Sequence, residues 1–391
     1  MNIKSGEYLF VMSNRRSKES NTEPIRVLLV NPEGKIAGAE QSLLLLARFL
    51  SRKMKVFAAC PDLSPLGEQM HQLRIGTFRI MCPPRRFNLT VVWLFYFVIV
   101  NLQLILIIRK TAPVIIHANN SRALLASMLA AFVTRKKIIW HARDLANSAS
   151  VSKICAFFSC RIIVVSNTVK KSLVDQGING AVIDLVRNAV EIKEQRVRPK
   201  DKHRANVLTF ANIGQFVPWK KQDLFIDAAA GLLQNGSEAR FMIIGDDIFG
   251  RDTKYKKELL SRVKTAACAD KIQFVGWHED LEQLWDKVDC LVHTAGTEPF
   301  GRVIIEAMSR WIPVIAANSC GPAEIIQNGI TGLLFEPGDV KDLITVMQKI
   351  SGDAKLAGKL VEAAHRYVES NFKAEDTADK ITEIYKNVLA A

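Results

Sequence analysis

The chain has 391 residues, of which 49% are hydrophobic and 24% charged, a composition that indicates a globular protein of two domains and excludes a disordered one. Its charge is uneven, because residues 1–200 carry 30 Lys and Arg against 12 Asp and Glu, a net charge of +18, whereas residues 201–391 carry 23 against 27, a net charge of −4. A basic half attracts nucleic acid, an anionic membrane or an anionic substrate, but no helix-turn-helix, zinc finger or aromatic single-strand platform is visible, so we expect no nucleic-acid partner.

Predicted strands and helices alternate along the first half of the chain. Residues 1–23 are polar and charged and are expected to form a flexible tail. A predicted strand at 25–30 is followed by a turn at 31–34 and by an amphipathic helix that runs from Ala37 to about Leu50. Alternation of this kind predicts a mostly parallel sheet with helices on both faces. The further strands of this half are predicted near 56–60, 114–117, 138–141 and 162–166.

The apolar segment at 91–108 interrupts this alternation. It reads VVWLFYFVIVNLQLILII and is followed by Arg109 and Lys110. About 18 residues is the minimum for a helix that spans a bilayer, so three interpretations compete. The segment is a buried helix of the N-terminal domain, a helix that lies in the membrane interface beside a basic surface, or a true span. A span would place parts of one domain on opposite sides of the bilayer and ranks last, while the other two stay open.

A second set of strands and helices follows a charged stretch. Residues 192–204 contain the run KEQRVRPKDKHR, which we interpret as an interdomain linker. Two helical segments end the chain, and no internal repeat of solenoid length is visible. The strands of this second set are predicted near 207–213, 241–244, 272–275, 290–293 and 314–316.

The cysteines and the start of the chain bear on its location. The seven cysteines form no Cys-x-x-Cys pair and have no histidine at zinc-binding spacing, and several lie in apolar runs where cysteine is usually a core residue. No cleavable signal segment is visible at the start. These features predict a protein of the reducing cytoplasm.

The most informative motif is EPFGRVIIE, which runs from Glu298 to Glu306 and places seven residues between two carboxylates. An apolar run at 288–292 precedes it and another at 313–317 follows, so the predicted order is strand, glycine-containing loop, helix and strand. In a parallel sheet this order directs the first free N–H groups of the helix at a phosphate or nucleotide. Carboxylates accept hydrogen bonds from hydroxyls. The motif therefore predicts a site for a phosphorylated ligand that also carries hydroxyls.

From residue 288 to residue 339 the chain resembles the retaining, nucleotide-sugar-dependent glycosyltransferases of family 4, which have the two-domain GT-B fold. The resemblance implies two Rossmann-like domains with an interdomain cleft, an N-terminal acceptor domain at 24–195 and a C-terminal donor domain at 205–371. It also implies that residues from about 372 to 391 form a helix that crosses back to the first domain. The matching segments are EPFG at 298–301, IEAM at 305–308, PVI at 313–315, GPAE at 321–324 and NGITGLLF at 328–335.

The resemblance assigns roles to the residues of this motif. Glu298 would be catalytic, in contact with the donor sugar near the reacting carbon, and Glu306 would hold the ribose hydroxyls. Phe300, Gly301 and Arg302 would complete the donor site, where a glycine lets the backbone approach the diphosphate closely. The implied mechanism is front-face attack, in which the departing phosphate oxygen accepts the proton of the acceptor. The resemblance implies no metal and no cofactor, only a UDP- or GDP-linked sugar as co-substrate.

One expected positive charge of the donor site is missing. The family has a Gly-Arg-x4-Lys arrangement after the first strand of the second domain, and this chain has Gly214 and Lys220 in the corresponding donor-binding positions. Gln215 replaces the arginine, and glutamine brings no charge to the departing diphosphate. Compensation for this loss is open at the level of sequence. The candidates are Lys221, Arg302 and Arg143.

The first domain contributes two further candidates. Residues 37–40, AGAE, resemble the Gly-Gly-x-Glu loop of the family, and Gly38 keeps the position where the chain passes closest to the donor phosphate and the acceptor. His141 follows a predicted strand end and matches the cleft histidine that touches the donor sugar, so it is assigned a catalytic role. Arg143 or Asp144 would orient His141. His117, with Asn119 and Asn120, is a weaker candidate on the acceptor side.

The expected activity is that of a retaining hexosyltransferase that transfers a sugar from a UDP- or GDP-sugar to a lipid-linked or cell-surface glycan. The expected location is the cytoplasm, peripheral on an anionic inner membrane face. Two alternatives remain. A nucleotide-sugar 2-epimerase of the same fold would not need a wide basic acceptor face. A non-catalytic partner subunit of the same fold is disfavoured by the intact Glu298, Glu306 and Lys220, but Gln215 keeps it open.

Overall fold

The computed structural model describes residues 24–61, 64–81, 90–145, 148–192, 207–265 and 269–391, with the side chains of 90–93 left aside. The predicted tail at 1–23 and nearly all of the predicted linker at 192–204 lie outside these residues. The described chain forms two parallel sheets, each covered by helices on both faces.

The N-terminal sheet has seven parallel strands in the order β3-β2-β1-β4-β5-β6-β7. Its central strands β1, β4 and β5 are almost continuously apolar because helices cover both faces, and apart from the first residues of β1 and β5 their side chains are buried. The sequence analysis did not predict β3 and β7, which are only four and three residues long. The strands are β1 (Arg26–Val30), β2 (Lys55–Cys60), β3 (Gly76–Arg79), β4 (Ile115–Ala118), β5 (Lys137–Ala142), β6 (Arg161–Val164) and β7 (Ile183–Leu185).

Six helices from the first half of the described chain cover this sheet, and several begin at a capping side chain. Asn120, Ser148 and Ser166 each accept a hydrogen bond from a backbone N–H of the first turn that follows, which satisfies a group the helix itself leaves unpaired. These caps start helices directly after strands β4, β5 and β6. The helices are α1 (Gly38–Leu50), α2 (Pro65–Gln72), α3 (Thr90–Thr111), α4 (Ser121–Val133), α5 (Ala149–Phe158) and α6 (Asn167–Val174).

The C-terminal sheet has six parallel strands in the order β10-β9-β8-β11-β12-β13. They are β8 (Leu208–Ile213), β9 (Ala239–Ile244), β10 (Ile272–Gly276), β11 (Cys290–His293), β12 (Val314–Ala317) and β13 (Leu333–Phe335). The helices are α7 (Gln222–Gln234), α8 (Thr253–Thr265), α9 (Glu282–Trp285), α10 (Arg302–Ser309), α11 (Cys320–Ile325), α12 (Val340–Gly352), α13 (Ala354–Asn371) and α14 (Ala374–Ala390).

The last helix, α14, belongs to the first domain. Its apolar side chains Ala378, Ile381 and Tyr385 are fully buried in the core that contains α1 and α2. Just before α14, Lys373 pairs with Val190 in an isolated parallel bridge. The chain therefore crosses back after α13, and the predicted architecture of two parallel α/β domains with a returning C-terminal helix is confirmed.

Helix α3 contains the apolar segment of the sequence. Within the described residues it is the one helix that is long and apolar enough to cross a membrane by length and composition, with a window at Leu94–Thr111 of which 33% is buried. Its buried face packs Val100 and Leu104 into the domain core. The two polar residues that interrupt the run anchor the helix, since Asn101 Oδ1 accepts the Ala130 N–H at 2.8 Å and Gln103 Oε1 accepts the Met81 N–H at 2.8 Å. Helix α3 is thus an element of the N-terminal domain, and its opposite face is exposed.

Candidate active site

A cleft of about 640 Å³ lies between the two domains, at the carboxyl ends of both parallel sheets. This is where ligands bind in open α/β folds, because loops and helix N-termini converge there. The structure brings most of the predicted site residues together in this cleft. Its lining includes Gly38, Gly214, Lys220, Glu298, Phe300, Gly301, Arg302 and Glu306.

Glu298 is the centre of a compact charged group. Its carboxylate is buried and forms an ion pair with the Lys220 ammonium, and the His293 Nε2 atom lies 3.3 Å from the same Oε2 atom. Burial alone would raise the pKa of Glu298, but Lys220 and His293 together lower it to about 2. Burial lowers the pKa of His293. At neutral pH the structure therefore holds an ionised carboxylate next to a lysine at the wall of the cleft.

Two glycines explain the shape of the loop that carries Glu298. Gly301 has a φ of 96°, in the left-handed region that side chains rarely adopt, and it begins α10. Gly321 donates its N–H to the Glu298 carbonyl at 2.9 Å, and a Cβ at residue 321 would meet the Phe300 backbone at 2.4 to 2.7 Å. Gly301, Arg302 and Val303 line the cleft, so the N-terminal end of α10 faces it. The loop and the helix start are thus in the predicted arrangement for an anionic ligand.

The last residue of the GPAE motif has a separate role. Glu324 lies at the end of α11 and accepts the backbone N–H groups of Asn167 and Thr168 at 2.8 and 2.7 Å. It also accepts the Thr168 hydroxyl at 2.7 Å. A carboxylate of the second domain therefore caps the N-terminus of α6 in the first domain, where the helix dipole favours negative charge. The contact stabilises the relative position of the two domains.

Arg302 crosses the cleft and joins the two predicted halves of the donor site. Its Nη1 atom donates to the Gly38 carbonyl at 2.9 Å and to the Ser42 hydroxyl at 3.2 Å. Its Nη2 atom donates to Glu306 Oε1 at 2.7 Å. Glu306 is therefore ion-paired with Arg302, while its second oxygen stays able to accept a hydroxyl.

The start of α1 holds Gly38 beside the cleft. The buried Glu40 carboxylate accepts the Ala37 N–H at 3.1 Å and the Asn31 amide at 3.4 Å, which fixes the first turn. A Cβ at residue 38 would meet no atom within 4 Å, so packing does not require glycine there. The space beside Gly38 is part of the cleft, and a side chain would take volume from a ligand.

His141 lies near the end of β5, as predicted, but its ring is buried. Its ring is 3% exposed and is absent from the lining of the large cleft, whose wall at this point is formed by Arg143 and Asp144. His141 borders a separate cavity of about 20 Å³ next to α1 and α14. The ring of His141 therefore does not line the cleft, and the catalytic contact assigned to His141 stays a prediction. Strand β5 ends at the cleft. The ring of His141 points into the domain, and the side chain of Arg143, two residues later, lines the cleft.

His141 belongs to a buried hydrogen-bond network. Its Nδ1 atom lies 3.1 Å from His117 Nε2 and 3.3 Å from Arg143 Nη2. The other nitrogen of His117 lies 2.7 Å from the Tyr385 hydroxyl of α14. Burial lowers the pKa of His117 to about 3 and the pKa of His141 well below its ordinary range, so both rings are neutral. His141 thus orients Arg143, whereas the sequence analysis expected Arg143 or Asp144 to orient His141.

Arg143 is held by two further side chains. Its Nε atom donates to Asn119 Oδ1 at 2.7 Å and its Nη1 atom donates to Asn188 Oδ1 at 2.8 Å. Asn119 was predicted on the acceptor side. In the structure it accepts the hydrogen bond from Arg143, and its Nδ2 atom donates to the Asn31 Oδ1 atom at 3.1 Å. Sequence reasoning missed Asn188, whose only signal is a polar residue shortly after the last strand of the domain.

These features define a two-domain α/β protein of the GT-B fold with a charged interdomain cleft. Each domain matches a family model of sugar-transferring enzymes. Residues 36–194 match the model described as Glycosyltransferase Family 4, and residues 193–367 match the model described as Glycosyl transferases group 1.

Curated relatives belong to the same class of enzyme. The chain is 27% identical over 209 residues, 52% of its length and 55% of the relative, to the lipopolysaccharide 1,6-galactosyltransferase of Escherichia coli. It is 22% identical, over 74% of its length and 80% of the relative, to the capsular polysaccharide biosynthesis glycosyltransferase CapM of Staphylococcus aureus. Several matches, including the first, span only about half of the relative.

The fold itself is shared with solved structures over nearly the whole chain. The crystal structure of Anabaena HepE in complex with UDP and glucose superposes with a TM-score of 0.81 at 22% identity, and it covers 93% of this chain and 99% of that one. At this level of identity the likeness establishes the fold alone.

Proposed function

We propose that the protein is a retaining glycosyltransferase that transfers a sugar from a nucleotide-diphosphate sugar to a glycan or lipid-linked acceptor. The observation that carries the proposal is the Glu298 carboxylate, paired with Lys220 beside the N-terminus of α10 at the cleft. A diphosphate leaving group gains negative charge in the transition state, and preorganised cations and N–H dipoles stabilise that charge. The cleft offers both kinds of group at one place.

The residues of the cleft have distinct roles in this proposal. Lys220 and the N-terminus of α10 bind the diphosphate, with Gly38, Gly214 and Gly301 leaving room for the phosphates. Glu298 contacts the donor sugar, and the second oxygen of Glu306 accepts a ribose hydroxyl. The acceptor attacks the face from which the diphosphate departs, and a phosphate oxygen of the leaving group accepts the proton. This route retains the anomeric configuration and requires neither a second carboxylate nor a metal.

The choice of donor and acceptor class rests on the relatives. A relative from Escherichia coli is named UDP-Gal:alpha-D-GlcNAc-diphosphoundecaprenol alpha-1,3-galactosyltransferase, and HepE was solved with UDP and glucose. A UDP- or GDP-sugar and an acceptor glycan carried on a lipid fit this chain best. We further propose that the protein acts at the cytoplasmic face of an anionic membrane, where such an acceptor is presented.

An exposed apolar face of the N-terminal domain supports the membrane location. Helix α4 packs against both α3 and α5, and all three helices expose large apolar side chains. Phe157 is 84% exposed, Phe132 is 72% exposed and Leu106 is 65% exposed, which is costly in water. Lipid is the occupant that we favour because exposed basic residues accompany this face and the half of the chain that carries it has a net charge of +18. The exposed basic residues on these helices or just after them are Arg109, Lys110, Arg135 and Lys153.

Calorimetric titration with a panel of nucleotide sugars, followed by a transfer assay with the donor that binds, tests the proposed function. We expect one UDP- or GDP-sugar to bind and its sugar to appear on an acceptor with the anomeric configuration retained. Conversion of the donor to its 2-epimer without an acceptor would establish the epimerase alternative. Absence of binding to every nucleotide sugar would favour the non-catalytic partner subunit.

A further inference from the structure

One cation of the cleft wall has no carboxylate partner. Among the described residues that line the cleft, four of the five arginines and lysines form ion pairs, and the fifth, Arg143, has no carboxylate of the described residues within ion-pair distance. The pairs are Arg48 with Glu191, Lys220 with Glu298, Arg302 with Glu306 and Arg310 with Glu282. The charge of Arg143 is therefore the one that a ligand can neutralise without competing with a protein carboxylate.

The guanidinium of Arg143 is oriented by neutral groups. It is 6% exposed, and each of its three nitrogen atoms donates one hydrogen bond to an uncharged acceptor. A guanidinium carries five N–H bonds, so two remain after these three. Neutral acceptors fix the direction of the fork, and the carboxylates of Glu40 and Asp144 compensate its charge only in part, from beyond ion-pair distance. The acceptors are Asn119 Oδ1 at 2.7 Å, Asn188 Oδ1 at 2.8 Å and His141 Nδ1 at 3.3 Å.

The buried charge of Arg143 is unfavourable for the folded protein. Burying an ion is costly unless an opposite charge lies directly beside it. Burial and the nearby Arg302 lower the pKa of Arg143 to about 9, so the group is still charged at neutral pH. An anion bound in the cleft would offset this cost, and a planar guanidinium suits the paired oxygens of phosphate.

We propose that Arg143 binds a phosphate group of the substrate and supplies the positive charge that Gln215 does not. This inference rests on the proposed function, because it takes the anion to be a phosphate of a sugar-transfer reaction. The source is either the diphosphate of the donor or a phosphate of the acceptor. Both present the same oxygen atoms to the cleft wall.

The other two candidates for the missing charge fit less well. Lys221 is exposed and does not line the cleft. Arg302 lines the cleft, but Glu306 neutralises its charge and the Gly38 carbonyl holds its Nη1 atom. Arg143 combines a position in the cleft, a charge with no ion-pair partner among the described residues, and a fixed orientation.

The test compares a nucleotide that carries phosphates with the nucleoside that does not. UDP and uridine, or GDP and guanosine if the donor panel selects guanine, are titrated into wild-type protein, Arg143→Gln and Arg143→Lys. We expect Arg143→Gln to bind the nucleoside diphosphate at least tenfold more weakly with nucleoside binding unchanged, and Arg143→Lys to lose less. Lys221→Gln is the matched control and should bind like wild type. Thermal unfolding of each variant establishes that it is folded.

Two further binding experiments distinguish a donor phosphate from an acceptor phosphate. If the donor supplies the phosphate, adding Gln215→Arg to the Arg143→Gln variant should restore nucleoside diphosphate affinity. If the acceptor supplies it, Arg143→Gln should instead weaken binding of N-acetylglucosamine 1-phosphate to the nucleotide-saturated protein. A folded Arg143→Gln protein that binds both probes as tightly as wild type overturns this inference and leaves the proposed function standing. A wild-type protein that binds no nucleotide overturns both.

Discussion

The Nε2 atom of His117 lies 3.1 Å from the Nδ1 atom of His141, and Arg143 determines which of the two rings donates the proton. A guanidinium has only donors, so the His141 Nδ1 atom, 3.3 Å from Arg143 Nη2, must be an acceptor. His117 then donates from Nε2 and accepts at Nδ1 the hydroxyl of Tyr385, 2.7 Å away. Arg143 thereby fixes the tautomers of both histidines, and the returning helix α14 supplies the hydroxyl that donates to the Nδ1 atom of His117.

Replacing Tyr385 with phenylalanine removes the donor to His117. The His117 Nδ1 atom is buried and would be left without a partner, so we expect the free energy of unfolding to fall by about 1–3 kcal/mol in urea denaturation. Tyr367→Phe is the matched control, because no hydrogen bond involves the Tyr367 hydroxyl in the described part of the structure, and its effect should stay within about 0.5 kcal/mol. Equal stability of Tyr385→Phe and wild type would contradict the assigned direction of the network.

Removing either member of the Lys220 and Glu298 ion pair should slow sugar transfer. We expect Glu298→Ala and Lys220→Ala each to lower the rate by at least about ten- to a hundredfold, as is typical when preorganised charge is lost at a reaction centre. Circular dichroism establishes that each variant is folded, and Lys221→Ala, at the exposed neighbouring lysine, should transfer at the wild-type rate. Wild-type rates in both folded variants would exclude the assignment of this site.

Stability should fall when the pH is lowered below about 6.5. His117 has a pKa of about 3 in the folded protein against an ordinary value of 6.5, and the pKa values of His141 and His293 are also lowered. Below pH 6.5 the unfolded chain binds protons that the folded protein does not, which costs up to about 1.4 kcal/mol per pH unit for each such histidine. Urea unfolding at pH 5.0 to 7.5 measures this slope, and His117→Gln should reduce it. A flat profile would contradict the neutral buried rings.

Glu298 adds a second loss of stability at lower pH. Its pKa of about 2 in the folded protein lies below the ordinary value of 4.5, so its contribution is fully present above pH 4.5 and is lost as the pH falls toward 2. The stability difference between wild type and Glu298→Gln should therefore shrink from pH 5 to pH 3. A difference independent of pH over this range would show that the ion pair does not hold the carboxylate charged.

Transfer activity should survive EDTA. The adjacent carboxylates of Asp246 and Asp247 already have protein partners, since Asp246 pairs with Lys256 at 2.5 Å and Asp247 accepts the N–H groups of Arg251 and Asp252 at 3.0 Å. Lys220, Arg143 and the N-terminus of α10 would carry the charge of the diphosphate instead. Complete loss of activity that manganese or magnesium restores would show that a metal binds the diphosphate.

The apolar face of α3, α4 and α5 should bind anionic membranes. We expect the protein to sediment with phosphatidylglycerol vesicles, to bind phosphatidylcholine vesicles poorly, and to release at raised salt, because basic residues near an anionic surface contribute about 1 kcal/mol each. Phe132→Ser and Phe157→Ser should weaken sedimentation, while Leu260→Ser on α8 of the other domain should not. Binding that salt does not affect would favour deep insertion, and the absence of binding would favour a soluble acceptor.

The architecture followed from local patterns. Alternating strands and helices, the charged stretch near residue 192 and the glycine at 301 predicted two parallel α/β domains and the loop between β11 and α10. These signals are readable because periodicity, charge and the special backbone freedom of glycine act over a few neighbouring residues. The strands β3, β7 and β13 escaped prediction because β3 and β7 contain polar residues instead of a continuous apolar run and β13 is only three residues long.

Only the tertiary structure decided the direction of side chains at the ends of strands. The sequence placed His141 near the cleft, but whether His141 or Arg143 faces the ligand depends on which way each side chain turns after β5. The His141 ring lies against the His117 ring, and the other nitrogen of His117 meets the hydroxyl of Tyr385, 268 positions away in the chain. Contacts of such separation leave no local pattern in the sequence. Their energy appears only when two distant segments are buried together and each buried polar atom must find a partner.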